Sequence, residues 1–206
     1  MTALETGARA DSRAVLIGVS TYDDETGFAP VPAARNSLRA MRALLCDPLV
    51  CGWPPERVTV IDDPGSPTDL ENQLADAAEE TAGELLVYYV GHGALGLDGE
   101  LCLSVTTTTV SRPQITGLPW KRVAEILRVS SPARVKVVIL DCCFAGQAIE
   151  ALAAADEGTA LADNAHVEGA YTLTATIRNR TAHVPPLATQ ENACTSFTGE
   201  LCEAGA

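Results

Sequence analysis

Apolar and polar positions follow two periods along this chain, and the alternation between them predicts its architecture. Short runs rich in β-branched residues, Arg13 to Val19 (R-A-V-L-I-G-V), Val58 to Asp62, Leu85 to Gly93 (L-L-V-Y-Y-V-G-H-G), Val135 to Gly146 (V-K-V-V-I-L-D-C-C-F-A-G) and Gly169 to Thr176, read as strands. The first is apolar on both faces and should be central. Between them lie stretches with helical spacing. Over residues 32–45, Leu38, Met41, Leu44 and Leu45 recur on one side and Arg35, Arg39 and Arg42 on the other. Over 67–82, Leu70, Leu74, Ala77 and Ala78 face inward, while Glu71, Asp76, Glu79 and Glu80 form an acidic outer face. Ser66 is placed to cap that helix, with Pro67 in its first turn and Asp69 completing a capping box. Further helices are expected at 118–129, with Val123, Ile126 and Leu127 buried, at 147–155, and from Thr195 to Cys202. The segment A-L-G-L-D-G-E-L-C-L-S-V after the third run places an Asp-Gly turn between apolar stretches and reads as a β-hairpin. Strands alternating with helices predict an α/β fold with a central, mostly parallel sheet.

Composition narrows this picture. At 206 residues the chain suits one globular domain, with residues 1–12 as a disordered lead-in and 13–206 as the domain. A formal charge of -13 argues against nucleic acid or an anionic membrane as partner and favours a basic peptide. The first residues lack the apolar core of a signal peptide, and no run is long enough to span a membrane. Seven cysteines match no paired zinc pattern, so no metal site is read from them, and reduced thiols in a cytoplasm are the simplest reading. Residues 156–168 are small, polar and acidic enough for a linker.

The chemistry gathers at two strand ends. The 135–146 run delivers Cys142 and Cys143 to its C-terminal edge, and the 85–93 run ends in His92 between two glycines. Parallel neighbours share that edge, so a thiol and an imidazole distant in sequence can meet there. Cys143 stands where strand gives way to helix, and a helix N-terminus or an imidazole populates its thiolate. In that reading Cys143 attacks a carbonyl carbon and His92 handles the proton. The N–H groups of Gly93 and Cys143 then form the oxyanion hole.

The motifs Y-V-G-H-G at 89–93 and D-C-C-F-A-G at 141–146 resemble those of caspase-like cysteine peptidases of clan CD, the bacterial metacaspase-like proteins in particular. His92 precedes Cys143 by 51 residues, close to the caspase spacing. The opening R-A-V-L-I-G-V-S-T-Y and the P-A-A-R-N-S-L-R-A-M helix resemble the start of that fold, and the similarity spans residues 13 to 201. The resemblance implies a three-layer caspase-like sandwich and a cysteine endopeptidase whose catalytic pair is His92 and Cys143. Cys142 takes a position that relatives fill with a small residue. Asp141 matches the aspartate of metacaspases and paracaspases that cut after Arg or Lys, which implies an S1 pocket for a basic residue. The alternative is that Asp141 only caps the following helix.

Two positions depart from the metacaspase pattern: Ser37, after Asn36, stands where a second pocket aspartate is common, and Val90 where serine is. Asp23, Asp24 or Glu25 would then complete the pocket. No Lys or Arg lies between Gly146 and Thr176, so an enzyme cutting after basic residues has no site in its own linker; Arg178 and Arg180 are the nearest. No cofactor is expected. Calcium activates some metacaspases, but no acidic cluster here is specific enough to assign a site. Related domains continue past the last helix, so a truncated domain, and with it a catalytically silent interaction module in a signalling or defence assembly, is the alternative to a peptidase. A redox role for the vicinal Cys142 and Cys143 is disfavoured by the strain of such a disulfide. Oligomeric state is not legible.

Overall fold

The computed structural model describes residues 9–97, 99–144, 170–175 and 184–204, with Cys143 and Phe144 described by backbone alone. In chain order come β1 (Arg13–Gly18), α1 (Pro32–Cys46), β2 (Val58–Asp62), α2 (Pro67–Glu79), β3 (Glu84–Leu95) and β4 (Leu101–Leu103). They are followed by α3 (Pro113–Thr116), β5 (Leu118–Pro119), α4 (Trp120–Glu125), β6 (Val135–Phe144), β7 (Tyr171–Thr174) and α5 (Ser196–Ala204).

Five strands form a parallel sheet in the order β2, β1, β3, β6, β7. β3 is its axis. Its first half pairs with β1, from Arg13↔Leu85 to Gly18↔Val90, whereas its whole length to Gly93 pairs with β6. Where β1 stops, the end of β3 turns back through the expected hairpin into β4, and β5 adds a last antiparallel rung. The sheet is buried on both faces, as apolar β1 demanded: Ala14 and Leu16 pack with α1, while Val15 and Ile17 pack with α2 and α4. Phe197 and Leu201 of α5 join the α1 face. The result is the mostly parallel α/β sheet expected from the alternation of periods, in the three-layer sandwich that the resemblance implied.

Differences from the sequence-based expectations have local causes. The helix expected at 118 starts at Trp120, because Leu118 and Pro119 pair with Leu103 and Cys102 and the extended Pro119 precedes the first turn. It ends in a π-helical turn, Ile126–Ser130. α2 stops at Glu79 rather than Ala82, since the Gly83 N–H donates to the Asp11 carbonyl and Ala82 and Gly83 accept from Arg134. The Ser66 hydroxyl accepts the Asp69 N–H at 3.1 Å, as the cap predicted. Of the expected lead-in, residues 9–12 are fixed: the Ser12 hydroxyl accepts the Glu84 N–H at 2.9 Å, and the Arg9 guanidinium lies 4.6 Å over Trp53. Residues 1–8, the expected helix at 147–155, the 156–168 linker, and Arg178 and Arg180 lie outside the described residues. Among the described residues no helix is long and apolar enough to cross a membrane.

Candidate active site

β3 and β6 carry the two motifs on adjacent rungs. The register runs Val90↔Asp141, Gly91↔Cys142, His92↔Cys143 and Gly93↔Phe144. His92 and Cys143 therefore face each other across the ladder. The pairing runs through Phe144, so the candidate oxyanion donors, the N–H groups of Gly93 and Cys143, lie on its last rungs. Terminal rungs are the ones that open most readily. Cys142 is 4% exposed and belongs to the core on the α2 face.

The His92 ring is held by residues that the sequence did not single out. Its Nε2 lies 2.9 Å from the Ala29 carbonyl oxygen. A carbonyl only accepts, so Nε2 carries the proton and the lone pair of the neutral ring resides on Nδ1. Nδ1 is buried and has no hydrogen-bond partner among the described residues. Phe28 stacks on the imidazole at 5.0 Å between centroids, and Tyr22 packs at 5.1 Å. Burial is the main reason the imidazole is held below its ordinary pKa, and the Ala29 carbonyl opposes it. Burial thus favours the neutral ring, whose basic nitrogen meets no hydrogen-bond partner among the described residues.

Gly91 is required by packing. A Cβ there would come within 2.9 Å of the Tyr89 hydroxyl, 3.1 Å of Val19 Cβ and 3.2 Å of the Tyr22 hydroxyl. Only glycine lets those hydroxyls reach the backbone beside His92.

Asp141 is 3% exposed on the α1 and α5 side of the sheet. Its Oδ2 accepts hydrogen bonds from the hydroxyls of Thr195 at 2.5 Å, Thr198 at 2.6 Å and Tyr88 at 3.3 Å. The helix whose start it meets is α5; the helix expected to follow the strand lies outside the described residues. Burial raises its pKa, and the three hydroxyls oppose that shift. No Lys or Arg forms a salt bridge with it among the described residues. Ser37 Oγ lies 3.0 Å from Thr195 Oγ1 and accepts the Thr195 N–H at 2.9 Å. Asn36 Nδ2 donates to the carbonyls of Gln190, Glu191 and Ala193 at 3.0–3.1 Å. Ser37, one of the two positions that depart from the metacaspase pattern, and its neighbour Asn36 thus tie α1 to the start of α5. Asp23, Asp24 and Glu25 are exposed, in a turn bonded to Thr106 and Val110. No group of His, Cys, Asp or Glu side chains suited to a metal ion occurs among the described residues.

A parallel sheet that sets a histidine and a cysteine from neighbouring strands on one rung, with helices on both faces, defines a caspase-like α/β domain. The chain belongs to the caspase family: the family model for the caspase domain, peptidase C14, matches residues 11–204. Membership makes it a caspase-like peptidase at family level, with protein as the general class of substrate. Among solved structures it is similar to protein GSU0716 from Geobacter sulfurreducens, with a TM-score of 0.65 and 16% identity over 94% of this chain and 81% of that one. That likeness bears on the fold alone. No curated protein matches the chain.

Proposed function

We propose that this chain is a cysteine endopeptidase that cleaves after Arg or Lys, with Cys143 as nucleophile and His92 as its base and acid. The observation that carries the reading is the state of His92: Nε2–H anchored on Ala29, Nδ1 buried and without a partner among the described residues, and the residue on the opposite rung a cysteine. A neutral imidazole so oriented takes the thiol proton and returns it to the leaving amine. The attacking sulfur forms a thioester as the amine departs, and water then releases the acid. The N–H groups of Gly93 and Cys143 serve the developing oxyanion once the last rungs of the ladder open.

Specificity for a basic residue rests on Asp141. A carboxylate 3% exposed, held by hydroxyls and without a cationic partner among the described residues, is an unfilled demand for positive charge, which an arginine or lysine side chain meets. The formal charge of -13 favours the same substrates.

The test is hydrolysis of matched fluorogenic peptides ending in Arg, Lys or Asp by wild type, Cys143→Ala, Cys142→Ala and His92→Ala, with and without calcium. Turnover of Arg or Lys peptides that is lost in Cys143→Ala and His92→Ala and survives in Cys142→Ala is expected. Turnover of Asp peptides overturns the role of Asp141. A folded protein without turnover, whose Cys143 also resists a peptidyl electrophile, is an interaction module instead.

A further inference from the structure

We infer that Tyr22 is a positioning residue for His92, fixing the histidine backbone with its hydroxyl and one side of the imidazole with its ring; this rests on the reading of His92 as the catalytic base. The His92 N–H donates to Tyr22 Oη at 2.9 Å, and Tyr22 Oη lies 2.9 Å from Ser104 Oγ. The Ser104 hydroxyl donates to the His92 carbonyl at 2.6 Å. Because the Ser104 proton is committed to the His92 carbonyl, the bond between Tyr22 and Ser104 is donated by the Tyr22 hydroxyl. The bonds close a one-way loop, from the His92 N–H through two hydroxyls to the His92 carbonyl, and such chains strengthen each member. The Tyr89 hydroxyl, 2.7 Å from the same carbonyl, and the Ser104 N–H at 3.1 Å complete the clamp.

The ring of Tyr22 acts on the side chain. It lies 5.1 Å from the imidazole and 5.2 Å from Phe28, which itself stacks on His92. A phenylalanine would fill that volume without a hydroxyl to bury. A buried hydroxyl costs free energy unless it is hydrogen-bonded, and the loop supplies the Tyr22 hydroxyl with both its partners. The segment carrying Tyr22 is fixed from outside the site: the Asp63 carboxylate accepts from the N–H and hydroxyl groups of Ser20 and Thr21, and the Asp23 N–H donates to Thr106. The titratable groups that act on this clamp among the described residues are Asp63, whose charge reaches Tyr22, Cys142 on β6, and Tyr22 and Tyr89 themselves. No charged side chain contributes to the shift of His92.

The experiment follows the His92 ring by nitrogen NMR, with its signals assigned by their loss in His92→Gln, and measures kcat and KM on an Arg peptide. Tyr22→Phe removes the loop and keeps the ring. It is expected to lower kcat about 10-fold at near-constant KM, to leave the titration midpoint in place, and to mix the Nε2–H tautomer with the other. Ser104→Ala breaks the same loop elsewhere and should reproduce the tautomer change. Tyr22→Leu removes the ring face, and the midpoint should rise toward the ordinary value of about 6.5. Exposed Tyr171→Phe should change none of these. A folded Tyr22→Phe with wild-type tautomer and kcat, or a Tyr22→Leu midpoint unmoved, overturns the inference. If wild type cleaves no peptide, the peptidase reading fails while the tautomer and midpoint still decide the role of Tyr22.

Discussion

Thr198→Val tests how the buried carboxylate of Asp141 is held. Valine keeps the β-branched shape and the volume, so what it removes is the hydroxyl, 2.6 Å from Asp141 Oδ2 and 2.7 Å from the Tyr88 hydroxyl in a fully buried setting. A hydrogen bond to a charged group contributes about 1.5–3 kcal/mol, so we expect a loss of about 2 kcal/mol at neutral pH. For a chain of this length that is a fall in Tm of about 4–8 °C. The pH dependence has a definite sign. Burial holds Asp141 above its unfolded value, so the folded state becomes relatively more stable as pH falls through the folded pKa. Removing a hydroxyl that favours the anion raises that pKa further. The Thr198→Val penalty should therefore be largest above the folded pKa and shrink as pH falls toward the unfolded value near 3.8. Urea unfolding of wild type, Thr198→Val, Asp141→Asn and the double variant, at pH 7.5 and near 4, gives the coupling directly, expected to be about 1 kcal/mol or more at the higher pH. Exposed Thr68→Val is the control and should stay within about 0.5 kcal/mol. Coupling near zero at pH 7.5, or a penalty that grows on acidification, would falsify the hydroxyl cradle.

Gly91→Ala should destabilise by about 1–3 kcal/mol and disturb the His92 ring signals, because the new methyl meets two tyrosine hydroxyls and Val19; unchanged thermal unfolding would refute the packing argument. Asn36→Ala leaves the carbonyls of Gln190, Glu191 and Ala193 without their shared donor and should cost about 1–3 kcal/mol, with faster hydrogen exchange at the start of α5 as the local readout. Asp63 is held below its ordinary pKa: burial works against this, but the N–H and hydroxyl donors of Ser20 and Thr21 prevail. Its contribution is present above the unfolded value of 3.8 and lost as pH falls through the folded pKa, so Asp63→Asn should be destabilised at neutral pH and flatten the acid limb of Tm against pH. An acid limb of wild-type steepness in that variant would count against the anchor.

The sheet was legible because its signal is local. Each parallel strand is a continuous apolar run, as burial on both faces requires, and the glycines and turn residues mark the ends. The rung joining His92 to Cys143 followed from two such runs as soon as they were taken as parallel neighbours. The boundary at 118 was not legible: Leu118 and Pro119 continue the apolar pattern of α4, and only the approach of β4 makes them a strand. The residues around His92 escaped for another reason. Tyr22, Phe28 and Ala29 sit in a polar, turn-rich loop with no period to mark them, and their role exists only where the loop folds over β3. Thr195 and Thr198 did carry a local signal, hydroxyls three apart at a helix start, with the Thr198 N–H 3.4 Å from Thr195 Oγ1. Their second bond, to Asp141, crosses more than 50 residues of sequence.

These contacts meet on one element. The start of α1 is tied to the His92 side of the site through the Val31 N–H, which donates to the Ser20 carbonyl, and through Arg35, which pairs with the Asp63 that fastens Ser20 and Thr21. One turn on, Asn36 and Ser37 hold the segment that delivers Thr195 and Thr198 to Asp141. The proposed base His92 and the proposed pocket residue Asp141 stand on different strands with no hydrogen bond between them among the described residues, yet both are braced by the first two turns of α1. A helix is stiff over that length, so a displacement of its N-terminus moves both braces together. The serine at 37, where a pocket aspartate would be common, fits this arrangement. A second carboxylate beside Asp141 would oppose the first in a buried setting, whereas a hydroxyl bonds to Thr195, which itself donates to Asp141.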